Sequence, residues 1–130
     1  MATKKVLVAD DEVHIIHVVA IKLRNNGYGV ITADNGAEAF ALACEEKPDI
    51  VVTDYQMPRM TGLELVERLR QCEQTKDIPV IMLTARNFAI SQQQQEELQI
   101  SECISKPFSP RELLANIEDV LHQQAVNQAI

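Results

Sequence analysis

The feature that most constrains the fold of this chain is a set of short, almost unbroken runs of Val, Ile and Leu. Three of them lie at 5–9, 50–53 and 78–83. A strand with one solvated face alternates apolar and polar residues, whereas a parallel strand covered on both faces is apolar throughout. The runs therefore predict central strands of a parallel sheet with helices on both sides.

Segments of helical length separate these runs, and their ends carry capping residues. Gly27 fits the left-handed residue that follows many helices, Asn35 fits a helix cap, and Thr61 with Glu64 has the spacing of a capping box. Strand starts near 5, 29, 50, 79 and 102 leave room for one right-handed crossover helix between each pair. The pattern predicts an α/β fold with five parallel strands. Its five helices are expected at 13–26, 37–46, from 61, 88–98 and from 110 to about 122.

Length, charge and cysteine content narrow the classes of function. The 130 residues are enough for one domain. A net charge of −7 argues against binding to a nucleic-acid backbone. No run approaches the roughly 18 apolar residues of a membrane span. Three widely spaced cysteines without a C-x-x-C motif argue against a disulfide framework or a zinc site, and favour a reducing, cytoplasmic location.

Polar residues stand at the ends of four of the predicted strands. Asp10 and Asp11 follow the first, Asp54 the third, Thr84 the fourth and Lys106 the fifth. The carboxyl ends of parallel strands share one edge, where open α/β sheets bind ligands. Two carboxylates about 5 Å apart repel by roughly 3 kcal/mol at an effective dielectric near 20, so a proton or a cation must offset the charge. Because the ligands are hard oxygens, Mg²⁺ or Mn²⁺ is favoured over zinc.

Lys106 and Thr84 complete a set suited to phosphoryl transfer. An aspartate nucleophile needs the charge on the equatorial oxygens of the transferred group to be neutralised, and a cation, a lysine and a hydroxyl can each contact one of them. Each residue alone has a simpler structural explanation, such as capping a turn. Their combination at several strand ends is what predicts the site.

Together these residues resemble the receiver domain of two-component response regulators. The resemblance extends over about residues 4–123, and it implies that 1–130 is a single receiver domain without an effector domain. It also implies a doubly wound, flavodoxin-like (CheY-like) sheet with strand order 2-1-3-4-5. The motifs that carry it are Asp10-Asp11, Asp54-Tyr55-Gln56-Met57-Pro58 with Gly62, Thr84-Ala85 and Lys106-Pro107-Phe108.

The resemblance assigns a phosphoacceptor and a metal site. Asp54 is expected to accept a phosphoryl group from a phosphohistidine of a sensor histidine kinase or a phosphotransfer protein. Asp11 and Asp54 are expected to bind Mg²⁺ directly, with the backbone carbonyl of Gln56 as a third ligand and Asp10 acting largely through water. Mn²⁺ is expected to substitute.

The resemblance also implies how the signal is used. Thr84 and Lys106 are expected to contact the acyl phosphate, and the Lys106–Pro107 peptide is expected to be cis. Such a chain is not an enzyme in the usual sense, because it catalyses only its own phosphorylation and dephosphorylation. Its helix 4 to helix 5 surface is expected to change and to bind a downstream effector protein. Neither nucleic acid nor membrane is expected to bind directly, and the chain is expected to be a monomer or a phosphorylation-dependent dimer.

One position departs from the family pattern. Family members often have Tyr or Phe three residues before the lysine, as a ring that turns inward on activation, whereas this chain has Cys103. A thiol cannot report the change as a large ring does. We therefore expect a muted side-chain switch and a movement of the loop at 85–88 instead.

Apolar residues cover more of the first predicted helix than one buried stripe requires. We expect the exposed remainder to dock a helical kinase domain through Ile15 and Ile16. The alternative is a core stripe accompanied by scattered surface aliphatics.

Three other interpretations remain open from the residues. The chain can be a receiver domain cut from a longer response regulator or transcription factor. An aspartyl-phosphate phosphohydrolase needs a second Asp two residues after the nucleophile, where this chain has Gln56. A flavin-binding electron carrier needs phosphate donors after the first strand, where the acids at 10–12 repel phosphate.

Overall fold

Five strands alternate with five helices in the parts of the chain that the computed structural model describes, residues 3–85 and 90–128. Neighbouring strands are all parallel, in the order β2-β1-β3-β4-β5. The predicted doubly wound sheet and the strand order implied by the resemblance are confirmed. The elements are β1 (Lys5–Ala9), α1 (Val13–Asn25), β2 (Gly29–Ala33), α2 (Gly36–Glu46), β3 (Ile50–Asp54), α3 (Gly62–Gln71), β4 (Val80–Thr84), α4 (Gln92–Glu97), β5 (Ile100–Ser105) and α5 (Pro110–Gln128).

The three apolar runs form the buried centre of the sheet. Every residue of β3 and β4 is buried, and so are four of the five residues of β1. Alternate side chains enter two separate cores, since successive side chains of a strand point to opposite faces. Leu7, Val51 and Met82 pack with α2 and α3, and Val8 and Ile81 belong to the core that includes residues of α1 and α5.

The helix ends follow the capping residues read from the sequence. The Asn35 side chain accepts a hydrogen bond from the Glu38 backbone N–H at 2.9 Å, and Thr61 and Glu64 form the predicted capping box. Gly27 has a φ of 91°, which non-glycine residues rarely adopt.

Three element boundaries differ from the sequence prediction by two residues or more. Strand β5 begins at Ile100, because a register shift lets that residue pair with Val80. Helix α4 begins after Ser91, which caps it, whereas the predicted start at 88 lies outside the described residues. Helix α5 continues to Gln128 instead of ending near His122, since neither Gly nor Pro interrupts the segment after Pro110. None of the helices in the described ranges is long and apolar enough to cross a bilayer.

One arginine joins α3 to the turn between α4 and β5. The guanidinium of Arg70 donates to the backbone carbonyls of Leu98 at 2.8 Å and Gln99 at 3.1 Å. It also donates to those of Lys76 at 2.9 Å and Ile78 at 2.7 Å. The end of α4 is therefore held by α3 through backbone groups.

The first residue of α3 has no room for a side chain. A Cβ atom at Gly62 would lie 2.3 Å from the backbone oxygen of Asp54 and 2.8 Å from the Met82 sulfur. Backbone cannot move aside as a flexible side chain can, so this close approach requires glycine. By contrast, a Cβ at Gly29 would meet nothing closer than 3.5 Å.

We expect Gly62→Ala to lower the free energy of unfolding by about 2 kcal/mol, the usual scale for overpacking. Gly29→Ala is the matched control and should change it by less than about 0.5 kcal/mol. Urea unfolding of both variants measures the difference. Equal stability of the two variants would contradict the close approach at Gly62.

Candidate functional site

The carboxyl ends of four strands bring the predicted site residues to one edge of the sheet. Asp10 directly follows β1, Asp54 and Thr84 are the last residues of β3 and β4, and Lys106 directly follows β5. Asp10, Asp54 and Thr84 are buried, while Asp11 is exposed. The edge is thus a partly closed site with one open side at Asp11.

Three carboxylates form the acidic part of the site. One oxygen from each of Asp10, Asp11 and Asp54 lies within 4.8 Å of the other two. Such a cluster of hard oxygens fits a divalent cation. The structure therefore brings together the acids that the strand ends predicted.

Lys106 lies at the centre of the site and contacts three acids. Its Nζ lies 3.0 Å from Asp10 Oδ2, 3.1 Å from Glu12 Oε1 and 3.3 Å from Asp54 Oδ1. The side chain is only 16% exposed, which strengthens these ion pairs relative to surface pairs. The Lys106 ammonium group thus neutralises only part of the negative charge of this cluster.

Glu12 is a site residue that the sequence reasoning did not assign. Its side chain pairs with Lys106, and its backbone N–H donates to Asp10 Oδ1 at 2.9 Å. The second bond fixes the Asp10 carboxylate, whose other oxygen faces Lys106. The sequence feature that could have indicated Glu12 is its position as the third consecutive acid after β1.

Backbone hydrogen bonds set the relative positions of the strand ends. The N–H of Lys106 donates to the Thr84 carbonyl at 2.7 Å, and the N–H of Tyr55 donates to the Leu83 carbonyl at 2.8 Å. The Lys106–Pro107 peptide is cis, as the resemblance implied. Through these contacts the main chains that carry Asp54, Thr84 and Lys106 are tied to one another.

Burial and charge change the acidity of the site. Burial, then the neighbouring Asp10 charge, raise the pKa of Asp54 to about 6, against the opposing effect of Lys106. Burial likewise raises the pKa of Asp10 above its ordinary value. For Lys106, burial alone lowers the pKa, but the hydrogen bond and charge of Asp10, with the other acids, outweigh it and raise the pKa overall. At neutral pH the site therefore combines a mostly ionised Asp54 carboxylate with a protonated lysine.

A cavity of about 240 Å³ opens beside these groups. Asp11, Asp54, Gln56, Ala85 and Lys106 are among its lining residues. Gln56 itself is exposed, so its side chain belongs to the rim. The cavity is lined by acids and by an ammonium group, and it can hold a small cation together with an anion.

The expectation of a muted side-chain switch at Cys103 and a moving loop falls partly outside the described residues. Cys103 is exposed on β5. The loop at 85–88, expected to move in its place, is described only at Ala85. That expectation therefore stays a prediction.

Comparison with known proteins gives a consistent result. The model of the family described as "Response regulator receiver domain" matches residues 6–118. The chain is 40% identical over 123 residues to the phosphate regulon transcriptional regulatory protein PhoB of Pseudomonas aeruginosa, covering 95% of this chain and 54% of that protein. It is 39% identical over 123 residues to the alkaline phosphatase synthesis transcriptional regulatory protein PhoP of Bacillus subtilis, covering 95% and 50%.

A solved structure agrees with the sequence relatives. The chemotaxis response regulator CheY4 of Vibrio cholerae superposes with a TM-score of 0.84 at 35% identity, covering 92% of this chain and 99% of that one. By contrast, this chain spans about half the length of the curated relatives it matches.

Proposed function

Because this chain belongs to the response regulator receiver domain family, we propose that Asp54 is the residue at which it accepts a phosphoryl group. Receiver domains act as phosphorylation switches in two-component systems and interact with kinases and effectors. They are not enzymes in the usual sense. The observation that carries the proposal is the buried Asp54 carboxylate, 3.3 Å from the Lys106 ammonium group and beside two further acids.

The proposed step is an in-line transfer from a phosphohistidine. A carboxylate oxygen of Asp54 forms a bond to phosphorus while the P–N bond to the donor imidazole breaks, and the imidazole takes up a proton. Only the ionised carboxylate attacks, and a pKa of about 6 leaves most of Asp54 ionised at neutral pH. Lys106 stabilises the phosphoryl oxygens by charge.

The donor set fits Mg²⁺, with Mn²⁺ as a substitute. Asp11 and Asp54 would hold the ion directly, the backbone carbonyl of Gln56 would complete the protein ligands, and Asp10 would act through water. When bound, the ion would neutralise part of the negative charge on the phosphoryl group. The support is chemical, since three carboxylates meet within 4.8 Å. Among the described basic residues, only Lys106 pairs with Asp10 and Asp54.

For the output, we propose a change of the surface formed by α4, β5 and α5. Thr84 and Lys106 would both turn to the acyl phosphate, and their backbone bond couples the ends of β4 and β5. Helix α4 contains no buried residue, so shifting it disturbs little packing. The effector that reads this surface would be a separate protein or a region beyond residues 4–123.

Intact-protein mass spectrometry tests the phosphoryl transfer. Incubation with acetyl phosphate and Mg²⁺ should add one phosphoryl group, and peptide mapping after borohydride trapping should place it on Asp54. The same incubation with EDTA should give little or no adduct. A metal-independent adduct, or one on another residue, would overturn the proposal.

A donor docking surface is proposed on α1. Val13 is 72%, Val18 49% and Ile21 47% exposed, so the excess apolar arc expected on this helix is present. A groove of about 500 Å³ runs from Val18 and Ile15 to the apolar residues after β5, among them Phe108, with Lys106 in its lining. Such an apolar groove beside the site suits a helix that carries a phosphohistidine.

The two isoleucines named from the sequence have different positions on this surface. Ile15 lines the groove and packs against the core shared with α5. Ile16 is half-buried and is not among the lining residues. We therefore place the docking contact on Ile15 and Val18, with Ile16 at its margin.

Val18→Asp should slow transfer from a phosphorylated histidine phosphotransfer domain about tenfold, because it places a charge in an apolar contact. Phosphorylation by acetyl phosphate should not change, since that donor needs no docking surface. The matched control is Val126→Asp, at a residue that is 44% exposed on α5 and lies outside the groove. The docking assignment would be contradicted if both variants slowed the transfer equally, or if neither slowed it.

A further inference from the structure

Two cysteines that are far apart in the sequence meet between α2 and α3. Cys44 lies in the last turn of α2, and Cys72 directly follows α3. Each cysteine stands one turn after a member of the Phe40–Arg68 contact between these helices, and each thiol affects the pKa of the other. Both side chains are half-buried, so small molecules can reach them from solvent.

The packing around the two thiols holds the helices together. One turn before Cys44, the Phe40 ring lies under the Arg68 guanidinium at 4.8 Å, which joins the same two helices. The Arg68 charge also acts on the Cys44 thiol. The two thiols therefore lie where α2 packs on α3, with the Arg68 charge close to Cys44.

The two sulfur atoms differ in acidity. The backbone N–H of Gln74, followed by the neighbouring Thr75 and Cys44, lowers the pKa of the Cys72 thiol. Burial, followed by the neighbouring Cys72, raises the pKa of Cys44. A thiolate is the nucleophilic form, so Cys72 would react with the oxidant first. Cys44 would then attack the oxidised sulfur of Cys72.

We propose that Cys44 and Cys72 are a site of reversible oxidation, at which a peroxide converts the two adjacent thiols into an intramolecular disulfide. This site lies on the helix pair α2–α3, apart from the acidic cluster, and it does not depend on the function proposed for Asp54. Disulfides in reducing compartments are mostly transient and redox-sensing, which agrees with a pair of half-exposed thiols.

The chemistry balances with hydrogen peroxide as the oxidant. The Cys72 thiolate attacks one peroxide oxygen, so an S–O bond forms, the O–O bond breaks, and the released hydroxide takes up a proton to become water. The Cys44 sulfur then attacks the sulfenic sulfur, an S–S bond forms, and the hydroxyl leaves as water with the Cys44 proton. The two thiols together lose two electrons, and the peroxide is reduced to two molecules of water.

The experiment treats the reduced 130-residue chain with one equivalent of hydrogen peroxide in the presence of dimedone, which traps sulfenic acids. Intact-mass analysis should find the loss of two hydrogen atoms without a dimedone adduct, and peptide mapping should find Cys44 linked to Cys72. The cross-link restricts the unfolded chain, so Tm should rise by roughly 5–10 °C and return on addition of dithiothreitol.

Serine variants separate the roles of the three thiols. Cys44→Ser should leave Cys72 as a dimedone adduct, Cys72→Ser should give neither product at the same peroxide concentration, and Cys103→Ser should behave like the parent chain. Circular dichroism of the reduced variants checks that each is folded. A disulfide that involves Cys103, a dimedone adduct on Cys72 in the parent chain, or no reaction at all would overturn the proposal.

Discussion

Replacing Asp54 by asparagine should reduce phosphorylation by acetyl phosphate and Mg²⁺ to an undetectable level. The amide lacks the anionic oxygen that attacks phosphorus, and no neighbouring acid has the same position. Asp10 is fully buried behind the Lys106 ion pair, and Asp11 is exposed at the rim. Intact-protein mass spectrometry under the conditions used for the parent chain measures the effect.

The control for this variant is Asp119→Asn, which removes an exposed carboxylate from α5. This variant should be phosphorylated to the same extent as the parent chain. Circular dichroism should give the same spectrum for all three proteins. An unchanged phosphoryl adduct in the Asp54→Asn protein would mean that the proposed acceptor is wrong.

The architecture was predictable because it depends on local patterns. The apolar runs of β1, β3 and β4 reflect burial on both faces, and a parallel sheet then places all strand ends at one edge. The proximity of Asp10, Asp11, Asp54 and Lys106 follows from that topology alone. The capping box at Thr61 was equally local, since its two hydrogen bonds involve residues three apart.

Contacts between distant segments were not predictable in the same way. The pairing of Lys106 with Glu12 depends on side-chain conformations at two strand ends. Nothing in the spacing of Cys44 and Cys72 indicated that they lie near each other, because their proximity arises from the packing of α2 on α3. Likewise, the hydrogen bonds from Arg70 go to backbone carbonyls, which carry no residue-specific signal.

The charge cluster has a second consequence, which concerns stability. The folded-state pKa of Asp54 is about 6, above the ordinary value of 3.8. Between these two pH values the folded chain binds more protons at this site than the unfolded chain does. The contribution of Asp54 to stability is therefore greatest below the lower value and decreases as the pH rises to the upper one. Asp10, whose pKa is also raised, acts in the same direction.

Asp54→Asn should consequently be more stable than the parent chain at neutral pH and without divalent cations. The difference between the folded-state pKa of about 6 and the ordinary 3.8 corresponds to about 3 kcal/mol of stability at pH values above both. We therefore expect the variant to gain about 2–3 kcal/mol in free energy of unfolding near pH 7.5. The gain should shrink to below about 1 kcal/mol near pH 4, where Asp54 is protonated in the folded chain and about half protonated in the unfolded chain.

Urea unfolding of both proteins in EDTA, at about pH 4 and about pH 7.5, measures this difference. Asp119→Asn serves again as the control and should follow the parent chain at both pH values. Added Mg²⁺ should stabilise the parent chain more than the Asp54→Asn variant, because binding to the folded state alone adds to its stability. A variant that is less stable than the parent at neutral pH would contradict the electrostatic account. The expected opposite effects on phosphorylation and stability arise from one cause, since the carboxylate that is needed for transfer is held where burial and its neighbours oppose its charge.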